Sequence, residues 1–303
     1  MAAVSLGRAI GSGFALIKHR PASVFVWGLL LVVFVEAPIL FLMGRAATET
    51  LGLWGAGGPT NEAAAQNIAF ALQQRMLLVE AMMLPVLVVR VLIMAAVYRA
   101  VLEPAKRGLA YLRIGRQEAW LLLLALCISV LAGFAIVPLE LLLGVSVITM
   151  MMKGAWILVG PLLGIVGLIL LLWVWARLSL AAPMTFADRH FRLFESWRLT
   201  RRHGLSLLGL GVVMFLLIAA LELVLFSLLA IGGAALWAGH PLDAPAILAW
   251  IRRLSIQSAG QMAEWLVPIG LVAAAVFGAL NAIAIAPWAS AYQQLNKASR
   301  AGA

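Results

Sequence analysis

Charged residues are scarce in this chain of 303 residues, because Asp, Glu, Lys and Arg together make up only 11% of it. A soluble globular domain carries about 25% charged residues, so this chain cannot build a surface compatible with water. Hydrophobic residues account for 64% of the chain, and the mean hydropathy is +1.06. The composition therefore excludes a soluble domain and predicts an integral membrane protein.

Cysteine is almost absent, and the motifs of common enzymes are missing. Cys127 is the single cysteine, which excludes an intrachain disulfide and a cysteine metal cluster. The four histidines are dispersed along the chain, and the sequence holds no P-loop, GxSxG, HExxH or strand–helix GxGxxG motif. We therefore expect no metal, no cofactor and no enzymatic activity. An intramembrane enzyme would need a nucleophile and a base that the sequence does not offer.

Acidic residues are few, so the formal net charge is +10. In a soluble protein this excess of Lys and Arg would suggest nucleic acid as a partner. In a membrane protein the same excess follows from the accumulation of Lys and Arg in cytoplasmic loops. We therefore expect no nucleic-acid partner.

Six apolar runs are long enough to cross a bilayer, whose hydrocarbon core of about 30 Å needs roughly 20 helical residues. They are residues 24–44, 76–99, 119–141, 156–177, 205–232 and 265–290. We predict an all-α integral membrane fold of six transmembrane helices in three hairpins, with amphipathic interfacial helices. Residues 1–303 are expected to form one membrane domain, with a cytoplasmic amphipathic segment (1–23), a six-helix bundle (24–290) and a cytoplasmic tail (291–303).

The basic residues alternate between the connecting segments. Alternate segments carry sixteen Lys and Arg on one side of the predicted bundle against five on the other, and Arg90 lies inside a span. Because positive loops stay on the cytoplasmic side, we predict a multi-pass protein of the inner (plasma) membrane with both termini in the cytoplasm.

Two basic segments look like helices on the membrane surface. In residues 5–20, Leu6, Ile10, Phe14 and Ile17 recur at helical spacing, which is typical of an amphipathic interfacial helix. Further on, Thr185 and Asp188 have the spacing of a capping box and predict a helix that begins there. We expect this second segment to bind anionic lipid headgroups or a partner through Arg189, Arg192, Trp197, Arg198, Arg201 and Arg202.

Ionisable residues within the apolar runs are candidates for function, because a charge at mid-bilayer costs several kcal/mol unless it is paired or hydrated. Glu36 and Arg90 lie at similar depths, roughly 18 Å and 14 Å along their helices at 1.5 Å per residue. We predict that they are near neighbours. Such a pair would be a structural ion pair or, alternatively, a gate or a proton-coupled pair.

The remaining polar candidates in the spans are Glu80, Glu140, Glu222 and Asn281. If the three glutamates face inward, they line an acidic outer cavity that attracts cations; otherwise they reach interfacial water. Asn281 is expected to hydrogen-bond across helices or to serve packing. A threefold repeat of hairpins, each with one glutamate in its first helix, is a further possibility that the sequence leaves open.

Residues 98–118 (YRAVLEPAKRGLAYLRIGRQE) and 177–204 (RLSLAAPMTFADRHFRLFESWRLTRRHG), above all FESWRLT, carry a resemblance. There the chain resembles a family of uncharacterised alphaproteobacterial inner-membrane proteins. More loosely, it is similar to the membrane domain attached to some bacterial glycerophosphodiester phosphodiesterases. The resemblance implies a six-helix bacterial inner-membrane protein. It implies no phosphodiesterase activity, since that activity belongs to a separate soluble domain.

Three classes of function remain from the sequence, and the third, an intramembrane enzyme, would need convergent nucleophile and base residues that the sequence does not show. The first is a membrane scaffold or a subunit that binds lipid or an unidentified membrane protein partner through its cytoplasmic loops. The alternative is a transporter or lipid-handling permease that uses the buried glutamates. A closed bundle with prominent loop helices would favour the first, and hydrated glutamates inside the bundle would favour the second.

Overall fold

The structure, a computed structural model, describes residues 5–42, 62–105, 108–151, 159–201, 203–237 and 259–301, and within these ranges it contains helices and no strand. The all-α prediction is confirmed. The helices are α1 (Leu6–His19), α2 (Pro21–Leu31, continued by a π-helical turn at Val32–Glu36), α3 (Glu62–Leu102), α4 (Arg116–Met151), α5 (Val159–Leu178), α6 (Ala181–Asp188), α7 (Leu193–Thr200), α8 (Gly204–Trp237) and α9 (Ala259–Ala301). A short 3₁₀ turn at Leu109–Tyr111 lies between α3 and α4.

Within the described residues, six helical segments are long and apolar enough to cross a membrane. They are Pro21–Leu42, Met76–Leu102, Leu109–Phe134, Gly164–Asp188, Gly204–Leu228 and Leu266–Lys297. The predicted number of apolar helices is confirmed. Helices α3, α4, α8 and α9 run longer than the predicted apolar runs, up to 43 residues in α9, because their flanks still contain good helix formers such as Ala, Gln and Leu.

The chain forms two compact units. The first, which we call the basic unit, comprises residues 1–19, 91–217 and 282–303 and contains most of the chain's 22 Lys and Arg residues. The second, the apolar unit, comprises residues 20–90 and 218–281. Helices α3, α8 and α9 contribute residues to both units.

In the basic unit the short helices α6 and α7 pack on the long ones. Helix α4 contacts α5 and α6, while α7 contacts α5 and α6. Phe186 of α6 is fully buried. Trp175 of α5 meets Trp288 of α9 edge-on, with ring centroids 5.2 Å apart, and a Cβ atom added to Gly211 of α8 would overlap the Trp175 ring. These contacts hold α6 and α7 at the ends of the long helices.

Helix α1 forms as predicted, but it packs through a different face. Its buried residues are Ala9, Gly13 and Leu16, whereas the larger Phe14 is 46% exposed. A Cβ atom on Gly13 would lie 2.7 Å from the Cα of Ile283 in α9. Gly13 is buried because it lets the two helix backbones approach closely, whereas Leu6 and Phe14 remain exposed.

In the apolar unit α2 and α9 touch through small residues. A Cβ atom on Gly28 would overlap the carbonyl oxygen of Ala274, and one on Gly278 would overlap the carbonyl oxygen of Val24. Trp27, beside this contact, is fully buried. Glycine at both positions is therefore a condition of this helix crossing.

A π-helical turn interrupts α2 at Val32–Glu36. The N–H of Ala37 donates to the carbonyl of Val32, five residues back, instead of the usual four. Pro38 follows one residue later and lacks an N–H, and its ring crowds the preceding turn. The wider turn accommodates that crowding and rotates Glu36 relative to a regular α-helix.

The predicted capping box at Thr185 and Asp188 is wrong. Thr185 lies inside α6, and Asp188 ends that helix instead of starting a new one. Arg189, with φ 57°, adopts the left-handed conformation that terminates α6, and the next helix begins at Leu193. The Thr185 hydroxyl is fully buried and accepts a hydrogen bond from the backbone N–H of Arg192 at 3.2 Å, so it serves the turn between the helices.

Candidate functional site

The strongest electrostatic feature of the basic unit is an ion pair between Arg99 of α3 and Glu118 of α4. Only 3% of Arg99 and 5% of Glu118 are exposed. The Arg99 guanidinium also donates to the carbonyl of Tyr111 at 2.5 Å and lies 5.5 Å from the ring centroid of Phe186. One side chain therefore joins the end of α3, the loop before α4, and α6.

Neighbouring side chains extend this junction to α9. The amide of Gln117 donates to the carbonyl of Phe186 at 3.2 Å, and Gln293 of α9 donates to the carbonyl of Val101 at 3.1 Å. The hydroxyl of Tyr292 donates to the Asp188 carboxylate at 3.4 Å. The loops of the basic unit are thus tied to three long helices and form a fixed platform.

Helix α7 is anchored to the last turn of α5. The Ser196 hydroxyl donates to the carbonyl of Leu193 in its own helix at 2.6 Å and lies 3.3 Å from the carbonyl oxygen of Arg177. The Thr200 hydroxyl lies 3.3 Å from the carbonyl oxygens of both Trp197 and Arg177. The rings of Trp173 and Trp197 meet edge-on with centroids 4.9 Å apart. The Arg177 guanidinium lies 5.4 Å from the Trp173 centroid and 5.9 Å from the Trp197 centroid. These contacts fix the outward face of α7.

The residues predicted to bind headgroups or a partner have different environments. Arg192 pairs with Asp188 at 2.9 Å and with Glu195 at 3.2 Å, and Arg189 lies 3.8 Å from Glu103. Trp197 is half-buried, whereas Arg198 is exposed. Arg201 is also exposed, and Arg202 lies outside the described residues.

Glu36 and Arg90, which were predicted to be near neighbours, do not form an ion pair with each other. Glu36 is half-buried and Arg90 is exposed, and none of the ion pairs between described residues joins them. The prediction assumed a regular α-helix through Glu36, whereas the π-helical turn changes the direction of that side chain.

No hydrogen bond or ion pair joins Glu80, Glu222 and Asn281 among the described side chains. Glu80 and Glu222 are exposed, and Glu140 lies in α4 with a side chain outside the described part of the structure. Asn281 donates to the carbonyl of Phe277 in its own helix at 3.0 Å, so this bond does not cross between helices. In the described part of the chain, no three His, Cys, Asp or Glu residues could hold a metal ion together.

The comparisons with known proteins give no relative. No family model matches the chain, and no curated protein or solved structure is significantly similar to it.

Sequence reasoning missed three residues that organise the platform: Arg99, Glu118 and Arg177. The count of basic residues includes Arg99 and Arg177 only as loop charges, and it does not include Glu118. A usable signal was present for one of them, since Glu118 is an acidic residue at the end of a strongly basic segment. An isolated acid in such a segment has several cationic partners within reach.

Proposed function

We propose that the protein is a multi-pass protein of the bacterial inner membrane, with both termini in the cytoplasm, that acts as a non-enzymatic scaffold. Its basic platform would bind anionic lipid headgroups and present α7 to a membrane protein partner. The observation that carries this proposal is the exposed arginine surface of α7, held in place by the Ser196 and Thr200 hydroxyls. The resemblance to alphaproteobacterial inner-membrane proteins is consistent with it.

Electrostatics supports a lipid-binding role for this surface. Within the described residues neither Arg198 nor Arg201 forms an ion pair, so both charges are available to a ligand. Each Arg near an anionic leaflet gains about 1 kcal/mol. Because α7 is already anchored, little conformational entropy is lost when lipid binds.

The orientation is tested by labelling single cysteines in a Cys127→Ser background. We expect Arg198→Cys to react with an impermeant thiol reagent only from the cytoplasmic side. Arg252→Cys, in the predicted outer loop, should react only from the opposite side. Labelling in the reverse pattern would contradict the orientation and, with it, the cytoplasmic lipid surface.

Lipid binding is tested with the purified full chain in bilayers that contain a spin-labelled anionic or zwitterionic lipid. We expect the anionic lipid to associate preferentially, and the double substitution Arg189→Asn with Arg198→Gln to reduce that preference. Two lost contacts of about 1 kcal/mol each correspond to a factor of roughly 30 at most. Asparagine is chosen because it tolerates the left-handed conformation at residue 189.

The matched control is Arg252→Gln with Arg253→Gln, which removes two charges from the predicted outer loop. This variant should keep the preference for the anionic lipid on the cytoplasmic leaflet. If both double variants behave like the wild type, the arginine surface does not bind headgroups. A partner that binds α7 directly would then remain the scaffold's only ligand.

One observation favours the alternative of a transporter. The π-helical turn that ends at Glu36 is a rare feature that occurs frequently at functional sites, and it puts a half-buried carboxylate beside a distorted backbone. In this alternative a water path reaches Glu36, and Glu36→Cys in the Cys127→Ser background reacts with an impermeant reagent. Absence of labelling there favours the scaffold.

A further inference from the structure

Arg177 has a hydrogen-bond donor that the described residues do not use. Its Nη1 nitrogen is buried and has no hydrogen-bond partner among them, although the guanidinium stacks near the rings of Trp173 and Trp197. A buried donor without a partner is unfavourable and usually marks a bound water, ion or ligand. Arg177 is therefore the starting point for a binding site.

Beside Arg177 lies a cavity of about 570 Å³ in the basic unit. Small-ligand sites have volumes of roughly 300–1,000 Å³, so the cavity can hold a headgroup-sized molecule. Its polar lining includes Arg177, Arg201 and His203, and none of its lining residues is acidic. The charge of this lining favours an anion.

The N-terminus of α8 faces the same cavity. Gly204, Leu205 and Ser206 line it, and the first backbone bond of the helix is donated by Leu207 to the carbonyl of His203 at 3.0 Å. The N–H groups of the three preceding residues have no partner within the helix. Such free N–H groups and the helix dipole bind phosphate, and here they add to the two arginines.

The rest of the cavity lining is largely apolar. Ile169, Leu172 and Trp173 of α5 and Leu208 of α8 line it, and Ile169 is 59% exposed. A free phosphate ion gains nothing from such a wall, whereas an acyl chain does. The ligand that fits both ends has a phosphate joined to a hydrocarbon chain.

We infer that this cavity binds one anionic glycerophospholipid, with its phosphate at Arg177, Arg201 and the N-terminus of α8 and its chain along Ile169 and Leu172. The inference rests on the proposed lipid-binding function but assigns it to a discrete site of defined stoichiometry. The cavity shares Arg201 with the arginine surface of α7, but Arg189 and Arg198 belong to that surface alone and Arg177 to the cavity alone. Substitutions at these residues therefore test the two proposals separately.

The experiment is native mass spectrometry of the purified full chain after incubation with phosphatidylglycerol or with phosphatidylcholine of the same chains. We expect the wild type to retain one phosphatidylglycerol and to prefer it at least tenfold over phosphatidylcholine. Arg177→Gln with Arg201→Gln should lower its occupancy at least tenfold. Arg116→Gln, an exposed arginine of the same unit outside the cavity, serves as the control and should retain the lipid.

A second variant keeps the test decisive if the arginine variant does not fold. Leu172→Trp fills the apolar wall without changing the charge, and it should also lower phosphatidylglycerol occupancy while a thermal melt confirms folding. In a separate arm, inorganic phosphate at millimolar concentration should not raise the melting temperature. An equal effect of inorganic phosphate would overturn the assignment of a lipid.

The outcomes separate the two proposals. Unchanged retention in Leu172→Trp and in the folded arginine variant overturns the cavity site, even if Arg189→Asn with Arg198→Gln weakens general lipid association. If one lipid is retained specifically and Arg189→Asn with Arg198→Gln has no effect on lipid association, the cavity site is supported and the broader surface is contradicted. No preference for phosphatidylglycerol overturns the cavity site.

Discussion

Breaking the buried pair of Arg99 and Glu118 gives the sharpest prediction on stability. Glu118→Gln keeps the shape of the side chain but leaves the Arg99 guanidinium buried, at 3% exposure, without its counter-charge. Removal of one partner from a buried ion pair typically costs about 3–5 kcal/mol. We expect the free energy of unfolding to fall by that amount, and Arg99→Met alone to have a similar effect.

The double substitution Arg99→Met with Glu118→Leu should recover most of the loss. It leaves no uncompensated charge, and apolar replacement of a buried pair is often neutral or stabilising. What remains is the lost hydrogen bond from Arg99 to the carbonyl of Tyr111, which contributes about 1 kcal/mol. The free energy of unfolding of the double variant is therefore expected to be about 1 kcal/mol lower than that of the wild type. This loss is far smaller than the sum of the two single losses.

The assay is reversible unfolding in mixed micelles of mild detergent and SDS, followed by tryptophan fluorescence. Arg116→Gln, an exposed arginine at the start of α4, is the control and should lie within about 0.5 kcal/mol of the wild type. Single losses below about 1 kcal/mol, or a double variant as destabilised as the sum, would refute the argument that the pair is buried and coupled.

Three further predictions use the same assay or limited proteolysis. Gly28→Ala should lower the free energy of unfolding by about 1–3 kcal/mol or more, because the new methyl group overlaps the backbone of α9. Its control is Gly133→Ala, where the added atom meets open space. This variant should be neutral or should stabilise the protein by up to about 1 kcal/mol. Gly13→Leu should release α1 from α9, measured as faster proteolysis within residues 6–19 and no change elsewhere. Ala110→Gly should raise the free energy of unfolding by about 1 kcal/mol, since Ala110 has φ 49° and glycine adopts that conformation without steric cost. An unchanged or lower stability would mean that the loop is not strained at this residue.

The number of helices could be predicted from the sequence because the bilayer thickness fixes the length of apolar helix that is needed. The packed face of α1 could not be predicted in the same way. Hydrophobic spacing selected Phe14, but the residue that packs is Gly13. Where apolar residues are favourable on both faces of a helix, close backbone approach decides which face is buried.

The ion pair between Arg99 and Glu118 could not be predicted from the sequence, because it depends on the conformation of the loop between them. Arg99 and Glu118 are 19 residues apart, and the loop between them includes Ala110 and Tyr111 with φ of 49° and 60°. Residues other than glycine seldom adopt this left-handed conformation, so no propensity rule gives the path of the loop. The cavity at Arg177 depends on the same kind of tertiary detail, since its lining comes from the end of α5 and the start of α8.

The π-helical turn at Glu36 limits prediction at the other candidate site. Helical depth and spacing place Glu36 correctly along α2, but the extra residue in the turn changes its direction around the helix axis. Pro38 is a visible signal for a distortion, yet a proline is compatible with a kink, a π-helical turn or a helix end. Only the three-dimensional structure distinguishes these cases.

The anchoring of α7 has a consequence for the order of events during synthesis. The contacts of Ser196 and Thr200 with the Arg177 carbonyl span only 19 and 23 residues. A ribosome adds that many residues in about 1–5 s, whereas a loop of this size closes in well under a millisecond. Helices α5, α6 and α7 can therefore settle together before α8 has been made. The turn into α8 then forms on helices that are already packed together.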